Sequence, residues 1–127
     1  MDATLSGMAA KDDFGRAGEE RAVRHLTANG YRILDRNWRC PQGELDIVAE
    51  TAGSLVVVEV KARASEAFGH PFEAIDRRKA ARLWRLAMAW IAVHPDEARS
   101  RRLRIDAIAL IGADPRTARL EHLEDAL

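Results

Sequence analysis

Asp46, Glu59 and Lys61 are the residues of this 127-residue sequence whose types and spacing could do chemistry. They lie in a stretch, Glu44 to Ala62, that reads as a β-hairpin. An alternating run reaches Glu50, the turn Thr51-Ala52-Gly53-Ser54 follows, and a run of mostly β-branched residues from Leu55 turns polar at its end. With a four-residue loop over 51–54, Glu50 pairs with Leu55 and Asp46 falls directly opposite Glu59. Side chains alternate faces along a strand. Glu44 and Asp46 then share a face with Val57, Glu59 and Lys61, while Leu45, Ile47, Ala49, Val56, Val58 and Val60 form the core face. Carboxylates directly across a strand pair lie about 4.5–5.5 Å apart and repel each other. A divalent cation offsets that repulsion, since Mg²⁺ accepts one or two protein carboxylates and completes its shell with water and phosphate oxygens. Lys61, on the same face, can hold or deprotonate an attacking water while the metal polarises a phosphate. The alternative is that Lys61 only neutralises the acid pair on a solvated face. A one-residue slip in the turn would put the two acids on opposite faces.

A third carboxylate, Glu19, belongs to a helix expected from Asp12 to Asn29. Ala22, Val23 and Leu26 make its buried stripe, Asp12 or Asp13 can cap its start, and Asn29-Gly30 ends it in the left-handed conformation. Glu19 stands four and seven residues before Val23 and Leu26, so it points along that stripe. A carboxylate there needs a partner, either the metal or a salt bridge to Arg16 or Arg39. Residues 1–11 are small and unpatterned and read as a flexible arm, leaving 12–127 as one domain.

The other elements that must position these groups follow from periodicity. Tyr31 to Trp38 reads as a strand with Tyr31, Ile33 or Leu34, and Trp38 inward. The helical period returns from about Glu73 to Val93, with Ala80, Leu83, Trp84, Ala87, Met88 and Ile91 on one face and Arg78, Arg82 and Arg85 on another. Leu103 to Ile111 is a strand, and Arg119 to Leu123 a short edge strand. The order αβββαβ(β) predicts an α/β fold whose first three strands form an antiparallel meander, within a mixed sheet flanked by helices.

Composition removes some function classes. A formal net charge of zero argues against coating nucleic acid through bulk positive charge. Since 17 of the 20 cations are Arg, whose planar fork suits phosphate, a local phosphate-facing patch stays open. The longest apolar run, Leu86 to Val93, falls far short of the roughly 20 residues that cross a bilayer. With no apolar core like that of a secretion signal near the N-terminus, the chain reads as cytosolic, with no membrane partner. Cys40 is alone, so it forms neither an internal disulfide nor a thiolate zinc site. His25, His70, His94 and His122 show no metal-ligand spacing. Arg104-Ile105-Asp106 reads as a structural ion pair at the start of a core strand. Trp38, Trp84 and Trp90 could stack on bases, although Trp84 lies on the apolar helix face. No phosphate-cradling glycine loop or nucleophile elbow is present.

Several blocks, in order, resemble the signature of the YraN-type family, a bacterial group of small proteins predicted to be endonucleases. They are Gly15-Arg16-Ala17-Gly18-Glu19, Asn37-Trp38-Arg39, Gly43-Glu44-Leu45-Asp46 and Val58-Glu59-Val60-Lys61-Ala62-Arg63. Phe68-Gly69-His70-Pro71, Lys79 and Arg104-Ile105-Asp106 extend the resemblance over about residues 14–111. That family is similar to the restriction-endonuclease-like superfamily with its Asp…Glu-X-Lys motif, which includes archaeal Holliday-junction resolvases. The resemblance implies a restriction-endonuclease-like core, with Asp46 and Glu59 as ligands of Mg²⁺ or Mn²⁺, Glu19 as the helix-borne acid and Lys61 as the catalytic lysine. The resemblance does not supply a substrate; the reading is hydrolysis of DNA, selective for shape (branched, flapped, nicked or ended DNA) because so small a chain has no room for a separate reading domain. Leu45 departs from the Pro that often precedes the first acid in the superfamily.

Arg63 continues the face of Lys61 and is a candidate phosphate clamp, or else pairs with Glu66. Arg39 and Lys79 are further candidate DNA contacts, Lys79 through the resemblance alone. A homodimer would supply the two sites that cutting both strands requires. The rival reading is a non-catalytic nucleic-acid-binding or assembly module that keeps the nuclease fold, which zero net charge favours.

Overall fold

The hairpin carrying the acids closes more tightly than the sequence suggests. Ala52 and Gly53 both take positive φ, 44° and 81°, the pattern of a two-residue hairpin turn, and Thr51 pairs with Ser54 across it. The register is the expected one, with Glu50 opposite Leu55 and Ile47 opposite Val58. The structure is a computed structural model that describes the backbone of residues 3–127 and the side chains of residues 12–127. Of the arm expected over residues 1–11, residues 1 and 2 lie outside the described residues, and the backbone of residues 3–11 is the start of a helix.

The elements are α1 (Ala3–Ala28), β1 (Arg32–Cys40), β2 (Gly43–Thr51), β3 (Ser54–Arg63), α2 (Arg77–Val93), α3 (Pro95–Ala98), β4 (Arg102–Ile111) and β5 (Arg119–Leu123), with one 3-10 turn over Pro71–Ala74. The strands form one five-stranded sheet in sequence order. β1, β2 and β3 are antiparallel, β3 and β4 are parallel through the α2 crossover, and β5 returns antiparallel on β4. The result is the expected mixed α/β architecture, a mixed sheet flanked by helices.

Several boundaries move for physical reasons. α1 begins at Ala3, so Asp12 and Asp13 are interior rather than caps, and Asp13 instead pairs with Arg16 one turn on, at 2.8 Å. Its end is where expected, with Gly30 at φ 85°. α2 starts at Arg77 rather than near Glu73, because Asp76 caps it by accepting the Lys79 N–H at 2.9 Å.

Both sheet faces are covered. Ala22 and Leu26 of α1 pack on Ile47, Ala49, Val56, Val58, Ile108 and Leu110. Leu83, Leu86, Ala87 and Trp90 of α2 pack on Leu45, Val48, Leu55, Val57 and Ile105. Two expectations are corrected here. Met88 is 56% exposed, and the stripe that α2 buries is Leu83, Leu86, Ala87 and Trp90, an i, i+3, i+4, i+7 set rotated from the expected one. Trp90, fully buried and donating its indole N–H to Asp35 at 2.9 Å, has no face for a base.

Leu45 lies under α2, not on the α1 face with Ile47. Residues two apart in a regular strand share a face, so the alternation breaks at Asp46. The cause is in β1. Asn37 takes φ 52° between the pairs Arg36↔Ile47 and Trp38↔Leu45, and Trp38 packs with Leu45 on the α2 side. A left-handed residue inside a strand twists it as a bulge does, and both strands turn over together at Asn37 and Asp46.

Gly18 fixes the spacing of α1 from the sheet. A Cβ at that position would meet Ala62 Cβ at 3.0 Å and Leu110 Cδ1 at 3.3 Å. Glycine inside a helix costs about 1 kcal/mol relative to Ala, and here it permits near-contact between helix and strand. Gly18→Val should therefore lower the urea midpoint by the equivalent of about 1–3 kcal/mol, the usual cost of overpacking. An unchanged midpoint would mean that α1 shifts freely on the sheet.

Candidate active site

The break in alternation leaves Asp46 at the point where β2 and β3 part. Paired residues between those strands end at Ile47↔Val58, so no ladder rung sets Asp46 against Glu59 as expected. Asp46 Oδ2 accepts the Val60 N–H at 2.9 Å instead, a side chain replacing a backbone acceptor. Glu59 is 6% exposed, and its Oε1 faces Lys61 Nζ and Lys79 Nζ, each at 3.4 Å. Lys79 reaches it from the first turn of α2. Lys79, a candidate DNA contact through the resemblance alone, is thus a neighbour of Glu59.

Glu19 approaches from α1, in the turn that Gly18 presses onto Ala62. Neither expected structural partner takes it: Arg16 pairs with Asp13, and Arg39 with Glu44 at 3.6 Å. Burial raises the Glu19 pKa above the ordinary carboxylate value, the side-chain amide of Asn37, the left-handed residue of β1, opposes it, and the charges of Glu44 and Glu59 raise it further.

Asp46 shows the strongest effect. Its carboxyl is pushed up to about 7, first by burial, then by the charge of Glu59 and, less, that of Glu19; the Val60 N–H and Lys61 hold it down. The charges of Glu59, on β3, and Glu19, on α1, thus both act on Asp46 of β2. The contacts just described leave Asp46 Oδ1 and Glu59 Oε2 outside them. Oxygen-only donors carrying excess negative charge are the set that a hard divalent cation such as Mg²⁺ or Mn²⁺ takes, so these residues fit one.

Glu19 lines two grooves. One, about 630 Å³, runs along the end of β3 between Phe14, Glu19, Lys61, Ala62 and Arg63. The other, about 480 Å³, shares Gly15 and Glu19 with it and reaches Asn37, Arg39 and Glu44. Arg63 is exposed and is not paired with Glu66, which binds Arg119 at 3.0 Å; its guanidinium donates only to its neighbour's carbonyl among the described contacts.

Asp106, the other buried charged residue described, takes no part in the site. Arg104 donates to both its oxygens, at 2.9 and 3.0 Å, while Tyr31 Oη, His122 Nε2 and the Asp125 N–H complete its shell. His25 extends the chain, its Nε2 3.0 Å from His122 Nδ1. Asp106 is a structural ion pair, as expected, inside a larger network. His70 also meets acids, with Nε2 bonded to Glu121 at 2.5 Å and 4.0 Å from Glu66. That trio is not a metal site on the same footing. His70 Nδ1 accepts the Phe72 N–H at 3.1 Å, so the ring proton must sit on Nε2, where a metal would bind. The cluster fastens the loop after β3 to β5.

Asn37 and Gly18 were quoted among the sequence blocks without a role, although each carried a signal. Asn is depleted in strands, and a helix-interior Gly suggests close approach. Phe14 and Phe68 carry none. No helix among the described residues is long and apolar enough to cross a membrane.

Relatives place the chain without assigning an activity. A "UPF0102 protein" of Beutenbergia cavernae is 53% identical over 116 residues, 91% of this chain and 97% of that one. Another of Arthrobacter sp. (strain FB24) is 52% identical over 116 residues, again 91% and 97% of the two chains. One of Clavibacter michiganensis is 48% identical over 104 residues, 82% of this chain and 86% of that one. The family model described as "Uncharacterised protein family UPF0102" matches residues 18–110, from the glycine that seats α1 to the buried end of β4, and the chain belongs to that family.

Proposed function

We propose that this protein is a metal-dependent endonuclease that hydrolyses DNA phosphodiester bonds and selects its substrate by structure rather than base sequence. The observation that carries the proposal is the buried Asp46, on which the charges of Glu59 and Glu19 both act, next to Lys61 on Glu59 and a groove lined by Glu19 and Lys61. Asp46 and Glu59, with Glu19, would hold Mg²⁺ or Mn²⁺. When bound, such a cation supplies a Lewis acid for the phosphate oxygens. Lys61 holds the water whose oxygen adds to phosphorus as the P–O bond to the leaving strand breaks. Arg63, exposed at the end of β3, clamps the phosphate, and Arg39 meets the backbone along the second groove. The described residues form one sheet with its covering helices and include no separate base-reading unit, which favours recognition of branched, flapped or nicked shapes.

A second reading has one observation in its favour. Lys61 and Lys79 already neutralise Glu59, as a non-catalytic DNA-binding or assembly module would need. Calorimetric titration of Mn²⁺ into the parent and Asp46→Asn, followed by incubation with branched and nicked DNA, separates the two. The enzyme reading expects binding and cutting by the parent and loss of both in the variant. DNA retention with no metal binding would support the module.

A further inference from the structure

Resting on the nuclease reading, we infer that the site takes a strand whose bases are unstacked on both sides of the phosphate held at Arg63, with Phe14 and Phe68 as the stacking surfaces. Arg63 is the shared wall of two grooves. The larger runs back to Phe14 on α1; the other, about 380 Å³, passes along the loop after β3 to Phe68. Each groove thus pairs one aromatic face with the same cation. A ligand with an anionic centre and a flat apolar group on either side matches this arrangement, and a dinucleotide step is such a ligand.

The two aromatics differ in how they are held, and both arrangements suit stacking. Phe14 is half-buried, next to Gly15, where an added Cβ would meet nothing within 4 Å. The wall opposite it is Val60, Ala62 and Ala64, apolar up to the ammonium of Lys61. Phe68 is fully exposed, yet its loop is fastened on both sides. Glu66 accepts from Arg119 at 3.0 Å and from the Gly69 N–H at 2.9 Å, and His70 bonds Glu121 across the loop. Folding gains nothing from a large apolar side chain displayed on a braced loop. Its exposure is held in place beside the site.

Phenylalanine has no polar atom, so neither residue can read the hydrogen-bonding edge of a base. Each can offer only a face, and in an intact duplex base faces are already stacked on their neighbours. Only a strand with unpaired bases presents faces to both grooves. The substrate class narrows accordingly, from shaped DNA in general to DNA that is single-stranded across the cleavage point, as in a flap or an opened branch.

The test is binding, read by the fluorescence of 2-aminopurine placed on either side of the central phosphate of a short oligonucleotide, single-stranded or annealed to its complement. It is done in EDTA, so that no cleavage intervenes. The parent should bind the single strand more tightly than the duplex and quench the probe. Phe68→Ala and Phe14→Leu, the latter keeping its half-buried apolar bulk, should each weaken single-strand binding by roughly 5- to 100-fold, the range for loss of one aromatic–base stack. Duplex binding should change less than about two-fold, and Phe→Trp at either position should restore the quench. Equal binding of both DNA forms by the parent, or Phe variants that bind the single strand as well as it does, would overturn this inference and leave the nuclease reading standing. A parent that binds neither form in EDTA would overturn this inference and leave the nuclease reading to the Mn²⁺ titration. Unaltered DNA binding combined with capture of a protein through Phe68 would assign that side chain to a protein partner instead.

Discussion

Asp46→Asn should unfold at a higher temperature than the parent at pH 8 without metal, and Mn²⁺ should close most of that gap. The substitution removes a charge that burial, Glu59 and Glu19 all oppose, and the amide oxygen can still accept the Val60 N–H. The sign follows from linkage. The Asp46 carboxyl has its folded pKa raised from 3.8 to about 7, so between those values the folded state keeps a proton that the unfolded state has lost. Stability is then highest below the lower value and falls as pH rises through the upper one. Parent and variant should converge near pH 4 and differ most above pH 7, by on the order of 2–4 kcal/mol. For a chain of this size that corresponds to about 5–15 °C. Added Mn²⁺ at 100 times its dissociation constant stabilises a protein that binds it by about 2.7 kcal/mol, a gain the variant should lack. Scanning calorimetry of both proteins at pH 4.5, 6 and 8, with and without Mn²⁺, reads all of this. A variant less stable than the parent at pH 8 would mean that Asp46 is a structural acid satisfied within the fold.

Asp106→Asn should do the opposite and cost about 3–5 kcal/mol, the usual loss when one partner of a buried ion pair is removed. Asp106 is fully buried and receives donors from Arg104, Tyr31, His122 and the Asp125 backbone. An amide has one accepting oxygen, turns its own donors toward that ring of donors, and leaves the Arg104 charge without its partner. Hydrogen bonds from His122 and Arg104 overcome burial and hold the Asp106 carboxyl down to about 2, below its ordinary 3.8. The stability it contributes is therefore complete above pH 4 and lost as pH falls through 2, about 2 kcal/mol in all. Urea unfolding at pH 7 and at pH 3 measures both statements. Because Asp106 has no described contact with Glu19, Asp46 or Glu59, the folded variant should bind Mn²⁺ as the parent does. A large drop in metal affinity at temperatures where the variant is folded would move Asp106 into the site.

Much of the architecture is local and was readable. Gly53 fixes the hairpin register, Asn29-Gly30 ends α1, and the β-branched run of β3 needs only alternation to find its two faces. The errors fall where a rule has two solutions. Strict alternation puts Leu45 on the wrong face because the sheet is buried on both sides, so an apolar residue fits either one. α2 has more apolar residues than one face can bury, and the period alone does not select Leu86 and Trp90 over Met88 and Ile91. The turn-over at Asn37 depends on a left-handed residue in a strand, which hydrophobic pattern does not encode. Of the site, Glu59 and Lys61 were legible as neighbours two residues apart. Asp46 was reached through the hairpin register, though by a ladder rung that does not form. Lys79 beside Glu59, His122 on Asp106 and His70 on Glu121 bridge distant parts of the chain, and only the crossover and the return of β5 bring them together.

The near-contact of Gly18 with Ala62 makes the seat of α1 a hard stop rather than a spring. Elsewhere in the core, helix and sheet are separated by side chains that can trade volume, so a substitution is absorbed over several ångströms of compliant packing. At Gly18 there is no intervening material to compress. The placement of Glu19 against β3 is thus referenced to the backbone, as a machined part is referenced to a datum face. Random changes in the α1 cluster should erode stability well before they blur that placement. An engineer wishing to retune the site would work on the strand side, at Ala62, where one methyl sets the gauge.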